Sequence, residues 1–297
     1  MSPKEPILTR RDFMKDTTYL TLGTATGLSL TKKAHSSARA KVILVRNNEA
    51  HDSDARFNAD IIQKMLDQAM SALCDTKDAL EAWKTLLKPT DIVGIKSNVW
   101  SYLPTPSALE QAIKKRIKQI GVAESNMGVD DRGVRQNPIF QKATAMINVR
   151  PLRTHHWSGI GGTLKNPIMF VEKPYLYHGN SCADLAKIWK LPILAGKIRL
   201  NILSVLKAQF HGRGPHHFDR RYVWDYNGLI VGTDPVAVDA VGLKIIQAKR
   251  RAFFGEEKNL QTTPHHILYA ETRHHLGVSD LNRIDLIKIG PAEGMLI

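Results

Sequence analysis

The chain has 297 residues, 43% hydrophobic and 24% charged, a balance that excludes intrinsic disorder and supplies a sizeable core. Its formal net charge is +14, which suits nucleic acid, an anionic membrane face or a small anion. There are two cysteines, Cys74 and Cys182, too few for a four-thiolate iron–sulfur cluster or an all-cysteine zinc site within one chain, although an exported chain could pair them.

Residues 1–40 read as a processed address. Arg10 and Arg11 form a twin-arginine pair, a weakly apolar run covers 17–30, and small residues lead to Ala38-Arg39-Ala40. The run is too short and too rich in Thr and Gly to cross a bilayer of roughly 30 Å. The reading is a twin-arginine signal cleaved near Ala40, the alternative being a disordered or amphipathic tail. It implies the twin-arginine translocation machinery as a partner, a periplasmic or otherwise exported location, and no stable membrane span after cleavage. Cargo of such signals crosses already folded, often with its cofactor inserted. The segment holds seven Lys/Arg and three Asp/Glu, so its removal lowers +14 by four to +10. Export argues against nucleic acid. No zinc-finger spacing, aromatic single-strand motif or long basic run is present either.

From residue 41 short β-branched runs alternate with amphipathic helices. "KVILVR" is a strand, 59–73 a helix, "DIVGIKSN" (91–98) a strand opening a loop, and 107–120 a helix closed by Gly121. In that last helix Ala112, Ile113, Ile117 and Ile120 turn inward and the lysines form a solvated face. A strand follows at 145–149, then a polar, Gly-rich region to Asn180, and a strand-like segment at 197–206. "GLIVG" (228–232) is a strand, 235–249 and 264–276 are helices, and "IDLIKI" (284–289) is the last strand. This rhythm predicts one α/β domain over 41–297 with a mixed, mostly parallel sheet flanked by helices.

Several polar groups stand where such a fold gathers ligands. "NGLIVGTDPVAVDAVG" ends a strand, places Thr233 or Asp234 to cap and Pro235 in the first turn, and carries Asp239 inside an apolar helix. Two readings stand for these carboxylates. Asp234 caps the helix and Asp239 anchors a neighbouring loop, or both bind ligand at the carboxyl edge of the sheet. Lys96, Asn98, Lys165 and Asn166 likewise sit at the ends of apolar elements and suit a phosphate or carboxylate, the alternative being a structural Lys–Asp network.

"GTDPVAVDAVG" (232–242) resembles the signature of the domain-of-unknown-function 362 family. "VGIKSN" (93–98), "TLKNP" (163–167) and "GRGP" (212–215) follow that family's Lys-Pro-Asn, Lys-Asn and Gly-Gly-Pro elements in order, over nearly all of 41–290. Ser97 replaces the family's proline, Pro167 follows Asn166 where an apolar residue is usual, and the ferredoxin-like cysteine cluster of some members is absent. No iron–sulfur role is carried over.

"THHWSGIGGTLKNP" (154–167) sets His155 ten residues before Lys165, with Gly159, Gly161 and Gly162 between them. It resembles the cofactor-bearing loop of lactate-racemase-like nickel-pincer proteins, in which a lysine tethers the pincer and a histidine contacts the metal or acts as base. The resemblance implies His155 and Lys165 as catalytic residues. His178 would be a second imidazole. "FHGRGPHHFD" adds His211 and His216, so that nickel, iron or zinc ligation stands beside the alternative of histidines packed in Gly-rich turns. The pairs His265/His266 and His274/His275 lie roughly 13 Å apart along a helix, too far for one ion, and read as surface or cap residues.

The chain has no Gly-x-Ser-x-Gly elbow, Walker loop or dinucleotide fingerprint. Two functional classes stay open. One is metal- or cofactor-assisted transformation of a small anionic substrate. The other is a non-catalytic periplasmic binding or metal-chaperone protein.

Overall fold

Valine- and isoleucine-rich runs buried on both faces build one sheet, as expected where helices cover both sides. The computed structural model describes residues 39–51, 54, 56–214 and 218–297; the signal reading and His216 lie outside the described residues. Strand β1 (Ala40–Arg46) leads to α1 (Ala59–Cys74) and α2 (Ala79–Leu86), then β2 (Val93–Lys96), α3 (Ser107–Gln119) and β3 (Met127–Asp130). Next come α4 (Pro138–Lys142), the long β4 (Ala145–His155), its return strand β5 (Gly159–Gly161) and a 3-10 helix, Thr163–Phe170. The chain continues through β6 (Ile198–Gln209), β7 (Val223–Trp224), β8 (Gly228–Gly232), α5 (Pro235–Phe254), α6 (His265–Thr272) and β9 (Ile284–Ile289).

The principal strand order is β3-β2-β4-β6-β8-β1-β9. Neighbours from β3 to β6 are parallel, as are β1 and β9, while β8 runs antiparallel to both β6 and β1. The mixed, mostly parallel α/β sheet expected from the sequence is therefore realised. On one face, α1 presents Ile62, Met65, Leu66, Ala69 and Met70, and α3 presents Leu109, Ile113 and Ile117. Helix α1 lies over β1 and β8 and against α3, and the side chains of both helices share one core cluster with Val93, Ile95, Ile147 and Val149. On the other face α5 covers Val42, Leu44, Leu203 and Ile230.

Two features position the site. After β2 the chain moves outward to β3 and then returns to lay β4 on the other side of β2, so the strand order reverses between β2 and β4. The carboxyl ends of parallel strands at such a reversal form a crevice. The second feature is a polar row across the buried sheet. Lys96 lies opposite Asn148, Asn148 opposite Asn201, and Asn201 opposite Gly232.

Candidate functional site

Polar side chains buried in a sheet must satisfy one another. Asn148 Nδ2 donates to Asn201 Oδ1 at 2.9 Å and to the Thr163 carbonyl at 3.0 Å, and its Oδ1 accepts from Asn166 Nδ2 at 2.8 Å. Asn166 Nδ2 also lies 3.1 Å from the Lys96 carbonyl. The row thus fixes the height and angle of the 3-10 helix that carries Lys165 and Asn166. Its first turn is held from the other side. The Asp239 carboxylate accepts from Thr163 N (2.6 Å), Thr163 Oγ1 (2.7 Å) and Leu164 N (3.0 Å). A Cβ at Gly162 would collide with that carboxylate, which is why glycine stands there. Burial raises Asp239 to a pKa of about 6, against the opposing effect of these hydrogen bonds.

In front of this scaffold lies a cleft of about 230 Å³, lined by Asn98 and Trp100 after β2, Asp131 and Arg132 after β3, and Arg150, Arg153 and His155 from β4. Lys165, Asn166 and His178 complete its polar lining, and Ile168, Met169 and Pro174 its apolar wall. Lys96 lies beneath, fully buried, with Nζ 2.5 Å from Asp131 Oδ1 and 3.4 Å from Asn166 Oδ1. Asp131 also accepts from Val99 N at 2.9 Å. Burial works against its ionisation, but the Lys96 ammonium outweighs burial and holds it below the usual carboxylate range. The one carboxylate in the lining is therefore already matched.

Arg150, Arg153 and Lys165 have no comparable salt bridge among the described residues. Arg150 Nη1 donates to the Gly162 carbonyl at 3.2 Å, but its Nε and Nη2, and Nε and Nη1 of Arg153, have no hydrogen-bond partner among the described residues. Both arginines are nearly fully buried, and the Arg153 guanidinium lies 4.0 Å from the Trp100 ring centroid. Lys165 Nζ reaches Cys182 Sγ at 3.6 Å and forms no salt bridge with a described carboxylate. Burial lowers Lys165 to about 8, opposed by Cys182 and reinforced by repulsion from Arg150 and Arg153. His155 is driven well below its ordinary value by burial and then by Lys165 and Arg153, so its ring is neutral near pH 7. Burial and Lys165 lower His178 to about 4.

Lys96, Asn98, His155, Lys165, Asn166 and His178 are thus brought together, in or directly beneath one cleft. Asp234 and Asp239 are not in its lining. Because β8 is antiparallel, its carboxyl end leads away from the carboxyl edge of β2, β3 and β4. Asp234 there caps α5 through Val236 N and Ala237 N and accepts from Val278 N at 2.8 Å. Helix α5 then returns toward the site and brings Asp239 to the back of the 3-10 helix. The cap-and-anchor reading describes both carboxylates.

His211 lines an adjoining cavity of about 770 Å³ that shares His155 with the cleft. Its Nδ1 lies 2.8 Å from Arg250 Nη1, a cation that disfavours a metal there. No three His, Cys, Asp or Glu side chains among the described residues are grouped to hold a metal ion. The Trp157 ring stacks on His178 at 3.9 Å and itself lies 5.9 Å from the His155 ring. The nickel-pincer resemblance calls on one lysine and one histidine, and Lys165 and His155 line the same cleft. Cys74 and Cys182 are free thiols.

Sequence reasoning missed Arg150, Arg153, Asp131 and Trp100. The signal for the arginines is "INVRPLRTH", where two charges interrupt a run that otherwise reads as a buried strand; β4 continues through them to His155 instead of ending at Val149. His266 is fully buried rather than at the surface, because it shares the inward face of α6 with Ile267 and Ala270. Both its ring nitrogens lack partners among the described residues.

Residues 129–244 match the family model described as Domain of unknown function (DUF362). The DUF362 match runs from the end of β3 into α5 and contains Arg150, Arg153, His155, Lys165, Asn166 and Asp239, in line with the family resemblance of the sequence. Lys96 and Asn98 lie outside it. Neither the curated proteins nor the solved structures gave a match.

Proposed function

We propose that the cleft binds a small carboxylate or phosphate, held by Arg150, Arg153 and Lys165, in a protein exported by the twin-arginine route. One observation carries this reading: four guanidinium nitrogens lack a partner among the described residues at a place where a charge is hard to solvate. Leaving a buried donor unpaired costs about 1–3 kcal/mol, more for a charged group, and an anion offers acceptors to several donors at once. The same excess of positive charge disfavours a bare metal cation. Beside such an anion, neutral His155 and the Lys165 amine, with its lowered pKa, are suited to proton transfer. A transformation of the bound ligand therefore stays within reach of these residues.

Calorimetric titration of the folded protein with inorganic phosphate and with acetate tests the reading. Saturable binding of at least one anion, weakened tenfold or more by Arg153→Gln with the fold retained by circular dichroism, is the expected result. No binding of either anion, or binding indifferent to that substitution, overturns it.

A further inference from the structure

The cleft lining combines buried cations with two aromatic rings, Trp100 and His178, which pack against the more exposed Tyr102 and Trp157. Arg150, Arg153 and Lys165 are buried, whereas Tyr102 and Trp157 are 58% and 41% exposed. One side of the lining is the Trp100 indole, which carries Arg153 and meets Tyr102 edge-on at 5.4 Å. Another is the His178 imidazole, backed by Trp157 at 3.9 Å with their planes inclined by 24°. Inorganic phosphate or acetate would engage the buried cations and offer these side chains no planar ring. Planar rings gain most from other planar rings, through offset or edge-on contact beyond simple area burial.

We propose, resting on the anion-binding reading above, that the ligand is an aromatic acid: one carboxylate or phosphate on Arg150, Arg153 and Lys165, and a planar ring against Trp100 and His178. The volume of about 230 Å³ sets the scale. It falls below the roughly 300–1,000 Å³ of sites for drug-sized ligands, so one ring with its acid group fits and an extended polycyclic body does not. The rings also contribute on the inner side. Trp100 covers the Arg153 guanidinium and limits its access to water, which strengthens the pull of that charge on an acid group.

Phenyl phosphate against inorganic phosphate, and benzoate against acetate, are the probes, each titrated calorimetrically into wild type, Trp100→Leu and His178→Ala. Both substitutions are first checked for native circular dichroism. If one does not fold, the other carries the test. The expected result is an aromatic member at least tenfold tighter than its simple counterpart, with that ratio falling to threefold or less in a folded variant. Simple anions that bind as well as aromatic ones overturn the ring subsite while leaving the anion site standing. An aromatic preference that survives in every folded variant overturns it as well, because the ring is then held elsewhere. If none of the four probes binds, the anion site itself falls, and this inference with it.

Discussion

Replacing Lys165 with methionine keeps the length and volume of the side chain and removes a buried ammonium that has no carboxylate partner among the described residues. The Lys165 pKa lies at about 8 against an ordinary 10.5. That gap corresponds to about 3 kcal/mol of cost to the folded state when the amine is protonated. Below pH 8 both folded and unfolded chains hold the proton, and the cost is carried in full. Between 8 and 10.5 the unfolded chain keeps a proton that the folded chain has released, so stability rises with pH. Lys165→Met should therefore be more stable than wild type at pH 7, by an amount up to about 3 kcal/mol, and the advantage should shrink toward zero near pH 10.5. Lys96 is lowered to about 8 by burial and contributes a similar slope, but equally in both proteins, so it cancels in the difference. Urea unfolding followed by tryptophan fluorescence at pH 7, 8.5 and 10 measures it. Anion affinity should fall in the same variant, a trade between stability and function that charged binding sites commonly show. A variant less stable than wild type at pH 7, or one with an unchanged pH slope, refutes the reasoning.

Gly162→Ala should cost about 1–3 kcal/mol by overpacking, because the new methyl meets the Asp239 carboxylate; the same unfolding assay checks it. Asn148→Leu removes the centre of the polar row and strips partners from Asn166, Asn201 and the Thr163 carbonyl. At roughly 1–3 kcal/mol for each polar group left unsatisfied, a loss of about 3 kcal/mol or more is expected, together with weaker phosphate binding as the 3-10 helix loosens. Export by the twin-arginine route with cleavage after Ala40 should yield a chain whose intact mass begins at Lys41, and Arg10→Lys with Arg11→Lys should leave the full-length chain inside the cell.

The fold was legible where local pattern and burial agree. The helix facing inward through Ala112, Ile113, Ile117 and Ile120 needs only a 3.6-residue period, and all four are buried. Strand "IDLIKI" needs only its β-branched run between turns, and β9 spans those six residues. Strand β3 and helix α2 went unread because each is short. The period of α2 covers barely two turns, and β3 owes its place to pairing with β2 rather than to its own composition.

The candidate cleft was legible in its lysines and asparagines and not in its arginines, and the difference is one of scale along the chain. Lys96 with Asn98, and Lys165 with Asn166, stand at the ends of apolar runs, where a charge is conspicuous. Arg150 and Arg153 stand inside such a run, where a strand pattern gives them no room until β4 is known to extend past the end of β2. The carboxylates failed in the opposite sense. Asp234 sits at the carboxyl end of a strand, the right place for a ligand group in a parallel sheet, but β8 is reversed and its end leads away from the cleft. Strand direction is a property of partners separated by tens of residues, and no window around Asp234 contains it. What does reach the site from that corner is Asp239, carried back by helix α5 to hold the first turn of Thr163–Phe170. The segment 232–242 thus acts on the cleft through the 3-10 helix that it anchors, and the buried positive charge in the lining is supplied by β4 and by Lys165.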